Sequence, residues 1–109
     1  SVANNVTLDV KGTISSASDI RLKENIKNIT SPLEIVSKLH GVSFNFKNNK
    51  NVKQYGLIAQ EVENVLPNLV QTDNNGYKSI NYQNTIAFLI EAIKEQQQEI
   101  NKLKKNNYA

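Results

Sequence analysis

Apolar residues recur with a period of two near the start of the chain, irregularly through its middle, and with a period of seven at its end. Val6, Leu8 and Val10 alternate with Thr7, Asp9 and Lys11, so residues 2–14 read as a half-buried strand. Gly12 and the run Ser15-Ser16-Ala17-Ser18 break that rhythm, which marks the first segment as a module separate from the rest of the chain. Residues 19–29 are mixed, with Ile20, Ile26 and Ile29 as apolar anchors. Ser31-Pro32-Leu33-Glu34 then combines a capping box with proline at the first helical position. Leu33, Val36 and Leu39 keep helical spacing, and Gly41 stands where a left-handed C-terminal cap is expected.

Val42, Phe44 and Phe46 alternate with polar residues and predict a strand, followed by a turn at Asn48-Asn49-Lys50-Asn51. Tyr55-Gly56-Leu57-Ile58-Ala59 leads into a short helix, Gln60 to Leu66, stopped by Pro67. Leu69-Val70-Gln71-Thr72 and Tyr77-Lys78-Ser79-Ile80 read as a hairpin around Asp73-Asn74-Asn75-Gly76, whose Asn-Gly pair favours a tight reversal. From about Gln83 to Asn106 the pattern is a long helix. Ile86, Ile93 and Ile100 fall seven apart, with Leu89, Gln96 and Leu103 at the second seam position. Between Glu95 and Lys105 only Ile100 and Leu103 are apolar, a seam too narrow for a globular face and right for a coiled coil. In a parallel assembly Glu99 at a g position would meet Lys104 at the next e position of a neighbour. Ile at a with Leu at d favours a dimer by rule, but the seam residue Gln96 blurs that rule, so the heptads leave the stoichiometry open. The predicted fold class is α+β, a small mixed helix and hairpin domain with a long C-terminal helix.

Composition narrows the chemistry. The 109 residues suit one small domain, and 39% hydrophobic content allows only a modest core, which oligomerisation often supplements. With no Cys and a single His, neither a disulfide nor a thiolate or His-cluster metal site is available within one chain, and no cofactor is called for. No apolar run approaches the roughly 20 residues of a membrane span. The first residues, Ser1-Val2-Ala3-Asn4-Asn5, lack the pattern of a signal peptide. The net charge of +3 is spread along the chain, and the cluster Lys102, Lys104 and Lys105 suits a helix C-terminus. Without an aromatic and basic stripe, nucleic acid is not an expected partner. His40 reads as a capping or packing residue rather than a catalytic one.

A search for chemistry leaves Ser18-Asp19-Ile20-Arg21-Leu22-Lys23. A serine hydroxyl needs a base to become a nucleophile, and lysine serves when desolvation or nearby cations lower its pKa. Arg21 is a neighbour of that kind. On a continuous α-helix Ser18 and Lys23 would lie roughly 140° apart. A dyad therefore requires Ser18 to precede the helix, with Asp19 as N-cap or first-turn anion. The structural alternative is an ordinary Ser-Asp cap without catalysis.

The stretch Ser18-Asp19-Ile20-Arg21-Leu22-Lys23-Glu24-Asn25-Ile26 resembles the opening motif of the intramolecular chaperone domain of endosialidases, tail spikes and phage neck appendages, the S74 peptidase family. Tyr55-Gly56-Leu57-Ile58-Ala59-Gln60-Glu61-Val62 resembles its second signature, and Ile80-Asn81-Tyr82 followed by Ile86 to Ile93 its third. The resemblance covers about residues 18–105 with no departure from the core motif. It implies a C-terminal domain that forms a homotrimer through a parallel coiled coil and nucleates folding of an upstream β-rich passenger. It also implies that the domain frees that passenger by a single self-cleavage. Carried over, Ser18 is the nucleophile, Lys23 the general base, and Ala17–Ser18 the scissile bond, with Asp19 and Arg21 as possible supports. Residues 1–17 would then end the passenger, 18–82 form the chaperone and self-cleavage domain, and 83–109 the coiled-coil helix. The implied setting is the host cytoplasm during virion assembly. Two other readings stay open: a trimeric fibre tip with an inactive dyad, and a basic nucleic-acid or receptor-binding module.

Overall fold

The computed structural model describes residues 8–107. The chain is mixed α and β, with two small antiparallel hairpins and a long helix at its end. In order, the elements are a 3₁₀ turn at Ile20–Leu22, α1 (Pro32–Ser37), β1 (Val42–Phe46), β2 (Asn49–Gly56), α2 (Ala59–Val65), β3 (Val70–Thr72), β4 (Lys78–Ile80) and α3 (Thr85–Asn107). Short 3₁₀ turns also follow α2 at Pro67–Leu69 and precede α3 at Tyr82–Asn84.

The helix start at Pro32 is where the sequence puts it, but its cap is not. Ser31 takes a left-handed conformation, φ 51°, and its side chain caps nothing, so the expected capping box does not form. The cap comes from α3 instead. The Leu33 amide donates to Glu95 Oε1 at 3.2 Å, filling one of the orphan donors that every helix N-terminus leaves. This bond ties α1 to the face of α3 that carries Phe88 and the buried Ala92. Gly41 likewise lacks the expected left-handed role. Helix α1 ends earlier, at Ser37, with Lys38 in right-handed helical conformation as its cap. His40 neither caps nor packs. It is exposed, with Nδ1 3.6 Å from Glu61 Oε1.

The predicted strand at 42–46 is β1, but the Asn-rich segment after it is mostly strand as well. Only Lys47 and Asn48 turn, and Asn49 to Gly56 pair back on β1 with Val42 opposite Gly56 and Phe44 opposite Gln54. The register shifts between Phe44 and Phe46, and there the Asn45 side chain donates to the Val52 carbonyl at 2.7 Å. An Asn cluster signals a turn by propensity, and here the partner strand overrides it. The second hairpin follows the prediction closely, with Val70 opposite Ile80 and Thr72 opposite Lys78. Asp73 closes its loop: Oδ1 accepts from the amides of Asn75 and Tyr77, and Gly76 takes φ +86°. Lys78 Nζ then bonds Glu63 Oε2 at 3.0 Å, fastening the hairpin to α2.

The strand read over residues 2–14 lies partly outside the described residues. From Leu8 to Asp19 no ladder forms, and Leu8 and Ile14 are exposed. A strand needs an edge to pair with, and each hairpin here pairs only within itself.

Little of this chain is buried. Val62, Leu69 and Ala92 are the buried hydrophobic residues among those described. The radius of gyration is 18.1 Å, against about 13 Å for a compact domain of this length. The accessible surface is 9614 Å², against about 6,100 Å² for a compact monomer of this mass.

The first hairpin meets the turn that enters α3 at Gly56. The Tyr82 hydroxyl accepts from the Leu57 amide at 2.9 Å and donates to the Leu57 carbonyl at 3.3 Å. A Cβ at residue 56 would stand 2.6 Å from the same oxygen, so only glycine lets the ring come this close. Gly56→Ala should therefore destabilise the domain by about 1–3 kcal/mol. In a Tyr82→Phe background, where the clashing oxygen is gone, the added cost of Gly56→Ala should shrink. Thermal unfolding of the four chains checks this, and equal costs in both backgrounds would show that Tyr82 is not the obstacle.

Candidate functional site

Ser18 lies in extended chain just before the 3₁₀ turn, and Lys23 closes that turn in extended conformation, φ −114° and ψ 148°. A 3₁₀ turn advances about 120° per residue, so three residues bring the chain round once. Across this turn Lys23 Nζ donates to Ser18 Oγ at 2.8 Å. The α-helical obstacle to this pairing does not arise, because no α-helix joins the two residues.

Asp19 sets the turn. As N-cap it accepts the Arg21 amide at Oδ1, 2.9 Å, while the Asp19 carbonyl accepts the Leu22 amide at 3.0 Å. The Arg21 guanidinium adds two further bonds, Nε to Oδ1 at 3.1 Å and Nη2 to Oδ2 at 2.9 Å. Side-chain and then backbone hydrogen bonds from Arg21 hold the Asp19 carboxyl below its usual range, and the same pairing raises Arg21. The Arg21 charge, which the sequence offered as a neighbour able to activate lysine, is thus matched by Asp19.

On the other side of the Ala17–Ser18 bond, the Ser16 hydroxyl donates to Gln83 Oε1 at 2.7 Å, a tie across 67 residues of chain. Sequence reasoning missed Gln83. It belongs to no chemical motif, and a contact of that separation has no periodic signal. Further along, Lys27, Asn28 and Ile29 lie in a shallow cleft with Ala87, Ile90 and Lys94 of α3. The residues on either side of the opening motif therefore meet the entry and the first turns of α3. Ala17, Ser18 and Lys23 are all exposed to water in the single chain, as are Ile20, Leu22 and Ile26.

The seam residues gather on one stripe of α3. Ile86, Leu89, Ile93, Ile100 and Leu103 are all exposed, Ile93 to 64%, and Gln96 lies among them. This stripe lies about 110° around the helix from the face that covers α1. The helix thus has one apolar face used within the chain and a second left exposed among the described residues.

The chain thus combines a short turn that joins Ser18 to Lys23, an α+β body and a long heptad helix. Residues 18–71 match the family described as chaperone of endosialidase, peptidase S74, and the chain belongs to that family. It is 37% identical over 102 residues to the long tail fiber protein Gp37 of Salmonella phage S16, covering 84% of this chain and 14% of that protein. It is 38% identical over 85 residues to the Gp37 proteins of Enterobacteria phages K3 and T2, covering 71% of this chain and 7% and 6% of theirs. The chain thus spans about a seventh or less of the length of these relatives. Among the described residues no helix is long and apolar enough to cross a membrane.

The Asp19 clamp has a pH signature. A carboxyl whose pKa is depressed on folding stabilises the folded turn above its unfolded pKa, and that contribution is lost as pH falls through the folded value. Asp19 should titrate below the ordinary 3.8, read from its carboxyl carbon shift by NMR. Arg21→Ala should return it toward 3.8, and an unchanged titration in that variant would show that the clamp does not set it.

Proposed function

We propose that this chain is an intramolecular chaperone that trimerises through α3, nucleates folding of an upstream β-rich fibre passenger, and releases it by cutting Ala17–Ser18. The observation that carries the cleavage is the 2.8 Å contact of Lys23 Nζ with Ser18 Oγ inside the family match. The relatives' identity as phage long tail fibre proteins supports a fibre as passenger and virion assembly in the host cell as the setting.

The nucleophile belongs to the residue whose nitrogen is the leaving group, and this dictates the course of the reaction. The neutral Lys23 amine takes the Ser18 Oγ proton, and the oxygen adds to the Ala17 carbonyl carbon, closing a five-membered ring. The C–N bond then breaks as the nitrogen receives a proton. This leaves an ester between Ala17 and the Ser18 oxygen, with a free Ser18 amine. Water hydrolyses the ester to the Ala17 carboxylate and the Ser18 hydroxyl, so one water is consumed and the site acts once.

A lysine becomes a base only where burial or other cations disfavour its charged form. In one chain the pair is exposed and Arg21 is matched by Asp19, so neighbouring copies must supply the covering. The exposed seam of α3 supplies the means of bringing them together. Cleavage thus waits for assembly. Trimerising first also holds three passenger ends at high effective concentration, so that registering their strands becomes intramolecular. Cutting afterwards removes the tether and leaves the folded passenger kinetically trapped. A parallel arrangement is required, because all three passenger ends must leave from the same side.

Ser18→Ala and Lys23→Ala should each leave a full-length chain by intact mass, while the unmutated chain separates after Ala17. Efficient cutting in Ser18→Ala would sink the assignment. An uncut but trimeric unmutated chain would instead make this domain a structural fibre tip. Truncating a buried Ile to Ala costs about 2–5 kcal/mol, three times over in a trimer, so Ile93→Ala should dissociate at micromolar concentration and stop cutting. Sedimentation equilibrium that finds a monomer while the unmutated chain still cleaves would overturn the link between assembly and cleavage.

A further inference from the structure

We infer that Gln83 is a positioning residue for self-cleavage, holding the passenger side of the scissile bond in register with the assembling helix; this rests on the self-cleavage reading above. The Ala17–Ser18 bond is anchored at both flanks. On one side Ser18 is held by Lys23 at 2.8 Å, and on the other Ser16 is held by Gln83 at 2.7 Å. Between the two anchors stands Ala17, whose carbonyl must turn onto Ser18 Oγ for the five-membered ring to close. Nothing else in the segment restrains it: from Gly12 to Ser18 the backbone forms no ladder, and every residue is exposed. Ring closure within one residue is already local, so what an anchor can add is orientation of the acyl group, the kind of restraint that raises rate without touching the nucleophile.

The position of Gln83 gives that restraint a second consequence. It lies in the 3₁₀ turn Tyr82–Asn84 that enters α3, three positions before the seam residue Ile86. The turn is itself fixed from both ends. Tyr82 is bonded to Leu57, and the Thr85 hydroxyl donates to the Tyr82 carbonyl at 2.6 Å. Docking of the first seam layer, one turn further on, would hold that turn and Gln83 in place as the helices assemble. Gln83 connects the state of the coiled coil to the geometry of the bond to be cut, through one contact whose acceptor is the side-chain oxygen.

The test is a double-mutant cycle on self-cleavage rate in the full chain, followed by intact mass. A single exposed hydrogen bond corresponds to about a two- to tenfold change in rate. Gln83→Leu and Ser16→Ala should each slow cutting by that factor, and the double variant should be no slower than either. Gln83→Glu keeps an acceptor oxygen and should retain a rate close to that of the unmutated chain, which a purely structural role would not require. All variants should remain the same oligomer by sedimentation. Additive losses, or cutting by Gln83→Leu at the unmutated rate, would overturn the inference while leaving self-cleavage intact. An unmutated chain that never cuts would remove the self-cleavage reading, and this one with it.

Discussion

A chain that cannot cover its own apolar surface must borrow cover from elsewhere, and the rest of this structure is arranged around that shortage. Three hydrophobic side chains are buried among the described residues, while isoleucines and leucines of α3 and of the segment after Ser18 face water. Small domains bury too little of their surface to be stable without help, and this one, with a radius of gyration of 18.1 Å, is more open than its length requires. It has no cysteine to staple it. The interior contacts are correspondingly few and specific. Glu95 caps α1, Lys78 fastens the second hairpin to α2, and Tyr82 fits against Gly56 and Leu57. These polar ties hold the elements in place where a larger core would do so by packing.

The same shortage leaves the Ser18–Lys23 contact open to water. Both are exposed, and the adjacent guanidinium is matched by a carboxylate. Covering the turn with neighbouring chains would change that environment without moving any residue of the dyad. The apolar side chains Ile20 and Leu22, carried on the turn between Ser18 and Lys23, are where such cover would be gained. In the proposed function, passenger folding, helix assembly and chemistry at the bond would share one physical cause, burial of the same exposed surface.

Local rules were legible where a single residue type has a single geometric use. Proline at the first turn of α1, Asp73 and Gly76 in the second hairpin, and Pro67 after α2 all stand where propensity puts them. Reading failed where a partner distant in sequence decides. Ser31 looks like a cap but yields that role to Glu95, whose bond to the Leu33 amide spans 62 residues. Asn49 and Asn51 look like turn residues but pair as strand because β1 lies beside them. Gln83 carries no chemical signature, and its bond to Ser16 depends on where the entry to α3 falls.

The heptad stripe of α3, the two hairpins, the family and the pair of residues that could do chemistry were all readable in the order of the amino acids, because each depends on neighbours within a few positions or on a short ordered motif. The closure of Lys23 onto Ser18 by a 3₁₀ turn, clamped by Asp19 and Arg21, was not readable there and belongs to the folded chain. Folding also set α1 and the stripe on different faces of α3, and tied the residue before Ala17 to the turn that opens that helix. The reason is the range of the forces. Backbone propensity acts over one turn and can be summed along the chain, whereas a cap, a close approach at glycine or a long-range hydrogen bond exists only once two distant segments have met.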